Sequence, residues 1–303
     1  MARFNSYRDE IPLKPEEFRL LRDLFSQKIG VQFGQESRFA MERRLRERLG
    51  ILKLTTFAEY YQYLRFHPLG PAEWEEAIEL LTTNETYFFR EDYQLRAFKN
   101  ELVPMLAAAA RPRRRLNVWS AGCSTGEEVY SIAMILIESP LLAGWDVRIF
   151  GSDISKRCVA AARKGIYGAA AFRAMPEELK RRYFTERTDG FHVSERLRGM
   201  CHFGQMNLME EEKARLLGRA DAVFCRNVLI YFDTYARRRV IDMFHERLYA
   251  GGVLLLGHSE SLLNVSTAFE LLHLREDLVY KKPLGAVKDP GKDPLRDSGK
   301  PSP

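Results

Sequence analysis

The chain has 303 residues, enough for one large or two small domains with a full apolar core. Hydrophobic residues make up 46% and charged residues 29%, a soluble globular balance, and no run of about 18 apolar residues offers a membrane span. The net charge of +6 suits a phosphate-bearing partner and an acidic protein partner alike, so charge alone does not choose. The start, MARFNSYRDE, lacks the apolar core of a signal peptide. Cys123, Cys158, Cys201 and Cys225 have no CxxC spacing and the six histidines no HExxH, so the expectation is a reducing cytoplasm without a bound metal.

The first third reads as helices. Pro15 to Ile29 sets Phe18, Leu21, Leu24, Phe25 and Ile29 on one face and stops at Gly30. Residues 36–49 carry Phe39, Met41, Leu45 and Leu49 among five arginines: Arg38, Arg43, Arg44, Arg46 and Arg48. A third helix covers 56–65. The fourth has Pro71 near its start, which suits the first helical position, and turns Trp74, Ile78 and Leu81 inward. These four form a compact helical domain over 13–82. Residues 82–90, TTNETYFFR, break the pattern. A further helix runs through Leu106, and AAAARPRRR at 107–115 reads as a surface linker that ends an interdomain segment over 83–115.

From residue 116 the rhythm becomes strand, helix, strand, helix. Strands are expected at 116–121, 146–153, 222–227 and 251–258, with helices after the first and over 234–249, and an antiparallel pair from FELLHL and LVYKK. Alternation of this kind implies a mainly parallel sheet covered by helices, over 116–283. Two stretches depart from it. Residues 183–205 resemble short alternating strands with a turn at Asp189-Gly190, an inserted β excursion. The proline-rich and charged end, 284–303, is expected to be disordered.

The most informative segment is LNVWSAGCSTGEE at 116–128, a buried strand, a turn of small residues and two acids opening a helix. Such turns bind nucleotide-like cofactors in doubly wound proteins, although a lone glycine turn is also an ordinary connection. It carries no lysine and does not read GxxxxGK[ST], which argues against a triphosphate. It lacks a complete GxGxxG, and Glu127 and Glu128 would repel a pyrophosphate at the helix start. Acids here suit a ligand with positive charge and free hydroxyls, and S-adenosylmethionine has both. Asp153, ending the second strand, stands near the offset of the ribose-binding acid in dinucleotide folds. The competing reading is a helix cap, a role Ser155 also fits. NETYFFR at 84–90 places Asn84, Thr86 and Arg90 among aromatics, as a ligand cover or as an ordinary hinge. CRNVLIYFD at 225–233 brings Arg226, Asn227 and Tyr231 to the carboxyl end of a buried strand, and Asp233 reads as a helix cap.

With NETYFFR, AGCSTGEE, GSDIS, Asn207-Leu208, CRNVLIYFD and GHSESL in this order, the chain resembles the chemotaxis receptor methyltransferases of the CheR family over residues 13–282. The resemblance implies an α/β fold: an N-terminal all-helical domain joined to a Rossmann-like class I methyltransferase domain with a small antiparallel β subdomain. It implies methyl transfer from S-adenosyl-L-methionine, with S-adenosyl-L-homocysteine as product, to glutamates on the cytoplasmic helices of methyl-accepting chemotaxis receptors. Cofactor contacts are implied at Asn84, Thr86, Arg90, Glu128, Asp153, Asn207, Leu208, Arg226 and Asn227. Spacing alone leaves Glu127 and Glu128 open, and the motif favours Glu128. Arg90 and Tyr231 are implied to orient the substrate carboxylate, and Arg38, Arg43, Arg44, Arg46 and Arg48 to dock the acidic receptor helices. The turn near 185–190 looks shorter than in members that grip a receptor pentapeptide, so pentapeptide independence is expected. The protein is expected to be a monomer that binds no nucleic acid. The alternatives are a methyltransferase acting on RNA or a small molecule, and a catalytically silent cofactor-binding scaffold.

Overall fold

The computed structural model describes residues 11–285, and the expected disordered tail lies outside the described residues from 286 onward. Four helices build the amino-terminal domain: α1 (Pro15–Ile29), α2 (Arg38–Leu52), α3 (Phe57–Phe66) and α4 (Gly70–Leu81). Glu17 accepts the Lys14 N–H at 3.0 Å in the first turn of α1, and Gly30 ends that helix at φ 75°, a left-handed value that glycine adopts without steric cost. Thr56 caps α3, its hydroxyl accepting from Glu59 N–H at 3.1 Å. Phe18, Leu21, Phe25, Leu45, Leu49 and Phe57 close over one another as the core of this domain.

One polar group sits inside that core. Glu73 of α4 accepts a forked pair of bonds from Arg48 at 2.9 and 2.6 Å and a third from the Tyr60 hydroxyl at 2.7 Å. Burial, reinforced by the Glu73 charge, pushes the Tyr60 phenol far above its ordinary value, so it stays a donor. Arg48 is therefore an internal strut, which corrects its expected place among the docking arginines.

The chain then runs through α5 (Asp92–Ala97), a π-helical turn (Phe98–Leu102) and α6 (Val103–Ala110). The expected surface linker is shorter than the composition suggests. Ala107 and Ala110 are buried in α6, and Arg113 bonds the buried Asp221 at 2.7 Å. An alanine run favours helix, and helix is what it forms here.

The second domain contains β1 (Arg115–Ala121), α7 (Glu127–Ile137), β2 (Asp146–Asp153), α8 (Lys156–Lys164), β3 (Ile166–Tyr167), α9 (Glu177–Tyr183), β4 (Phe184–Arg187), β5 (Gly190–Val193), α10 (Glu195–Arg198) and β6 (Cys201–Gln205). It continues with α11 (Glu211–Arg215), β7 (Ala220–Cys225), α12 (Thr234–Arg247), β8 (Leu248–Leu256), β9 (Glu270–His273) and β10 (Leu278–Lys281). Seven strands form one sheet in the order β6-β2-β1-β7-β8-β10-β9, parallel up to β8 and antiparallel beyond it. The chain leaves β1 toward β2 and β6, then returns on the other side at β7. That reversal is the switch point at which doubly wound sheets hold ligands, outside the carboxyl ends of their strands.

The β excursion differs from expectation in its membership. β4 and β5 form the hairpin, with Arg187 opposite Gly190, and β3 completes the small sheet. Residues 201–205 instead form the parallel edge of the main sheet beside β2. An alternation of buried Cys201 and Phe203 with exposed His202 serves either role, and periodicity cannot say which partner a strand will find.

Two seams clamp the domains together over that carboxyl edge. In one, Ser26 donates to Asp233 at 3.0 Å, Val31 pairs with Phe232 in an antiparallel bridge, and Gln32 N–H donates to Tyr231 O at 2.7 Å. In the other, Glu79 of α4 accepts from the Ser155 hydroxyl at 2.6 Å and from Arg157 N–H at 2.9 Å, a carboxylate against a helix N-terminus. No helix among the described residues is long and apolar enough to cross a membrane. The strut inside the helical domain makes a stability prediction. Glu73→Ala should lower the unfolding free energy by about 3 kcal/mol in chemical denaturation, since Arg48 and Tyr60 lose their shared acceptor. A loss below about 1 kcal/mol would show that water replaces it.

Candidate active site

A cavity of about 310 Å³ opens at the carboxyl ends of β1, β2 and β7, beneath the helical domain. Its size lies in the range of small-molecule sites. Asn84, Thr86, Arg90, Glu128, Asp153, Asn207, Leu208, Arg226, Asn227 and Tyr231 all line it. So does Arg44, whereas Arg38, Arg43, Arg46 and Arg48 do not.

The floor is the β1–α7 turn. Gly122 stands at φ 83°, and an added Cβ would lie 2.3 Å from the Val228 side chain. Gly126 stands at φ 94° with Ala162 2.8 Å from such an atom, so both turns require glycine. The two acids after Gly126 part company. Glu127 turns inward, 4% exposed, and accepts from the Thr125 hydroxyl at 2.7 Å. Glu128 faces the cavity, accepting from Ser120 at 2.7 Å and from Arg226 at 3.1 Å. Burial raises the Glu128 carboxyl above its usual range, with Arg226 and Ser120 pulling the other way.

Asp153 ends β2 as expected, but it does not cap α8; the Ser155 hydroxyl does, accepting from Cys158 N–H at 2.9 Å. Asp153 instead accepts from Ser124 N–H at 2.7 Å and Ser155 N–H at 2.9 Å. Burial pushes its carboxyl up while these backbone donors oppose the shift. A carboxylate has about four lone-pair sites, so acceptor capacity remains. Asp233 does cap its helix, accepting from Ala236 N–H at 2.7 Å.

The interdomain segment forms one wall. Phe88 is fully buried against Tyr167, Phe172 and Phe184, which ties this segment to the small sheet. Phe89 N–H donates to Ser131 at 3.1 Å, and the Ser124 hydroxyl donates to Asn84 O at 2.8 Å. Phe89 and Glu91 both take left-handed backbone, φ 58° and 53°, on either side of Arg90. Ser124 and Asn227 do the same, so three of the seven such non-glycine residues among those described line this cavity, and Glu91 stands behind its wall, bonded to Arg226 and Asn227. Strain of this kind, roughly 1–3 kcal/mol a residue, persists where surrounding contacts over-determine the backbone. The Arg90 guanidinium donates to Glu85 O at 3.0 Å.

Arg226 closes the far wall from the end of β7. Its side chain is 3% exposed and donates to Glu128 and Glu91, both at 3.1 Å, and to Arg90 O at 2.6 Å. Burial raises the Glu91 carboxyl, but the Arg226 charge and hydrogen bonds, with Asn227, carry it below the usual range. Asn207 spends its amide on Lys28 O at 2.7 Å and its carbonyl on Met209 N–H at 3.0 Å, which ties the end of β6 to the end of α1. Tyr231, 39% exposed, stands at the rim.

The arginines of α2 divide. Arg43 is exposed, and Arg38 stacks over the exposed Phe39 ring at 5.0 Å. Arg44 donates to Leu81 O at 3.2 Å, Arg46 pairs with Glu42, and Arg48 belongs to the internal strut. Sequence reasoning missed two acids. Glu91 directly follows NETYFFR, and Glu260 lies in GHSESL; a single acid in a loop has no periodicity to reveal it.

The donor set fits S-adenosylmethionine. Glu85, Glu128 and Asp153 line a cavity that contains no lysine, and its three arginines are already engaged: Arg226 with Glu91 and Glu128, Arg90 with Glu85 O and Arg44 with Leu81 O. Such a wall favours a sulfonium, an ammonium and a ribose diol over a phosphate.

Comparison with known proteins agrees with this geometry. The family description "CheR methyltransferase, SAM binding domain" matches residues 84–278, and "CheR methyltransferase, all-alpha domain" matches 16–82. Chemotaxis protein methyltransferase 2 of Vibrio cholerae is 38% identical over 277 residues, 91% of this chain and 96% of that protein. Chemotaxis protein methyltransferase 2 of Pseudomonas aeruginosa is 36% identical over 261 residues, 83% of this chain and 88% of that protein. The chemotaxis protein methyltransferase of Borreliella burgdorferi is 33% identical over 263 residues, 85% and 92% of the two chains. The chain therefore belongs to the CheR family of S-adenosylmethionine-dependent chemotaxis methyltransferases.

Proposed function

We propose that this protein methylates glutamate side chains on the cytoplasmic helices of chemoreceptors, forming methyl esters. The observation that carries the reading is convergence: residues from separate segments of the chain, including both sides of the domain seam, line one cavity that holds Glu128 and Asp153. S-adenosylmethionine, when bound, supplies a sulfonium methyl that a glutamate oxygen takes as the sulfur–carbon bond breaks, with no proton exchanged. A glutamate, with a pKa of about 4.3 in model peptides, is ionised at pH 7 and needs no general base. The chain's own task is alignment and exclusion of water, effects that supply roughly 7–11 kcal/mol in well-oriented reactions.

Asn84, Thr86, Glu128, Asp153, Asn207, Leu208, Arg226 and Asn227 hold the cofactor in this reading. Glu128 balances its positive end and Asp153 takes the ribose hydroxyls. Arg90 and Tyr231 are the candidate catalytic residues, orienting the incoming carboxylate. Arg90 positions without neutralising it, because a tight ion pair would blunt the nucleophile.

Docking falls to the part of α2 that remains outward, Arg38 and Arg43 with Phe39. Acidic receptor helices complement that face. The two-residue connection between β4 and β5 supports independence from a receptor pentapeptide, since it leaves little loop to grip one.

Three measurements test this. With labelled S-adenosylmethionine and receptor-containing membranes, the protein should form alkali-labile methyl esters. Arg90→Ala should then lower turnover roughly a hundredfold and Tyr231→Phe about tenfold, with smaller changes in S-adenosylhomocysteine affinity. Unchanged turnover in both variants would sink the assignment. Second, Arg38→Glu with Arg43→Glu should weaken receptor methylation and its salt dependence, and a free pentapeptide should not compete. Activity indifferent to salt, or competition by the peptide, would refute docking by charge on α2.

The third is a pH profile. Burial raises the Glu128 carboxyl, so on acidification it loses charge at a pH above the ordinary carboxylate range. S-adenosylhomocysteine affinity should fall there, and Glu128→Gln should remove that share of the dependence. Arg226 and Glu91 are the charged groups packed closest to it. Constant affinity from neutral pH down to the ordinary carboxylate range would contradict the role given to Glu128.

A further inference from the structure

We propose that Glu260 and Arg237 are positioning residues that hold the loop bearing Asn227 and Tyr231 from its two polar sides. The inference rests on the methyltransferase reading above. After β7 ends at Cys225, the chain passes Asn227 at φ 58° and enters one 3-10 turn, Leu229–Tyr231, before α12 begins. A left-handed residue next to a tight turn leaves successive N–H groups pointing together, a concavity that attracts an anion.

Glu260, just beyond β8, fills that concavity. One of its oxygens accepts from Asn227 N–H at 2.9 Å and Gly257 N–H at 2.6 Å. The other accepts from Val228 N–H at 2.9 Å and Ile230 N–H at 3.2 Å. Four donors match the four lone-pair sites of a carboxylate. The opposite side of the loop presents carbonyls, and Arg237 of α12 answers them. Its Nε donates to Leu229 O at 2.8 Å and to Phe232 O at 3.1 Å. The Leu229–Ile230 peptide group is thereby held from both sides, its N–H by the acid and its carbonyl by the base, while the bond to Phe232 O fixes the chain just beyond Tyr231.

Close approach is built in. A Cβ on Gly257 would lie 2.8 Å from Asn227 N and 2.9 Å from the Glu260 carboxylate. Neither Glu260 nor Arg237 lines the cavity, so both act through Asn227 and Tyr231. The same loop carries a domain seam, because Tyr231 O accepts from Gln32 N–H at 2.7 Å. Glu260 therefore fixes the methyl-transfer rim relative to the cofactor wall and to the helical domain together.

The test is methylation of receptor-containing membranes by the full chain carrying Glu260→Gln. Each carboxylate oxygen serves two N–H groups, so whichever way the new amide turns, two backbone donors face its NH₂. Turnover should fall roughly a hundredfold while KM for receptor stays within about threefold. Added to Tyr231→Phe, the substitution should cost much less than it does alone, because both act on one placement. Wild-type turnover in Glu260→Gln, or losses that multiply, would overturn the assignment. Arg237→Gln works from the other side of the loop and should show the same pattern if Glu260→Gln does not fold. Hydrogen exchange on the unsubstituted protein reads the clamp directly: the Asn227 and Val228 amides should exchange slowly, and solvent-rate exchange would refute it. A wild-type chain that methylates no receptor would sink the functional reading alone, leaving the exchange result to judge the clamp.

Discussion

The arrangement depends first on the buried guanidinium of Arg226. Taking such a charge out of water costs several kcal/mol, and only well-placed partners offset it. Those partners come from different parts of the chain: Glu128 from the turn after β1, Glu91 and the Arg90 carbonyl from the interdomain segment. The cation thus ties the end of β7 to both walls of the cavity at the sheet's switch point. Remove it, and two buried or half-buried acids repel each other across the space it occupied. The left-handed backbone at Phe89 and Glu91 is tolerated because this network holds its carboxyl end and Phe88 anchors its amino end. Arg90, between them, inherits its direction from both.

That network also explains why an acid-rich site exists at a helix N-terminus. Glu128 alone would titrate easily, since burial favours its neutral form. Arg226 keeps part of its charge in place without cancelling the acceptor capacity of the wall, because Glu91 shares the same cation. What remains is a surface suited to a cationic, hydroxyl-bearing cofactor. In the receptor reading the attacking glutamate is already ionised and calls for no further base, so polar groups here serve placement.

Much of this was legible in the sequence, for identifiable reasons. Pro15 and Gly30 bracket α1, and strong apolar runs between turn residues mark β1 and β2. The residues that the family resemblance named for the cofactor and for the substrate carboxylate line one cavity. The failures share a cause too. Arg48 and Arg44 lie one turn apart beside the apolar stripe of Met41, Leu45 and Leu49, so they turn toward α4, whereas a count of arginines treats all five as one face. Strand β6 has the alternation of a hairpin strand but pairs with β2, a choice made by tertiary contacts. Glu91 and Glu260 are single acids in loops, and their value lies in which backbone donors reach them, which no local pattern encodes.

The clamp on the 226–232 loop gives the two-domain construction a physical purpose. The end of α1 bonds backbone to backbone with Tyr231, Phe232 and Asp233, while Glu260 and Arg237 hold the same stretch from within the sheet domain. The rim that carries Tyr231 therefore cannot shift without also disturbing the helical domain whose outer face carries Arg38, Phe39 and Arg43. In the receptor reading, a helix docked on α2 is presented to a rim already fixed relative to it. Much of the orientation on which methyl transfer depends is then set by the fold before the substrate arrives.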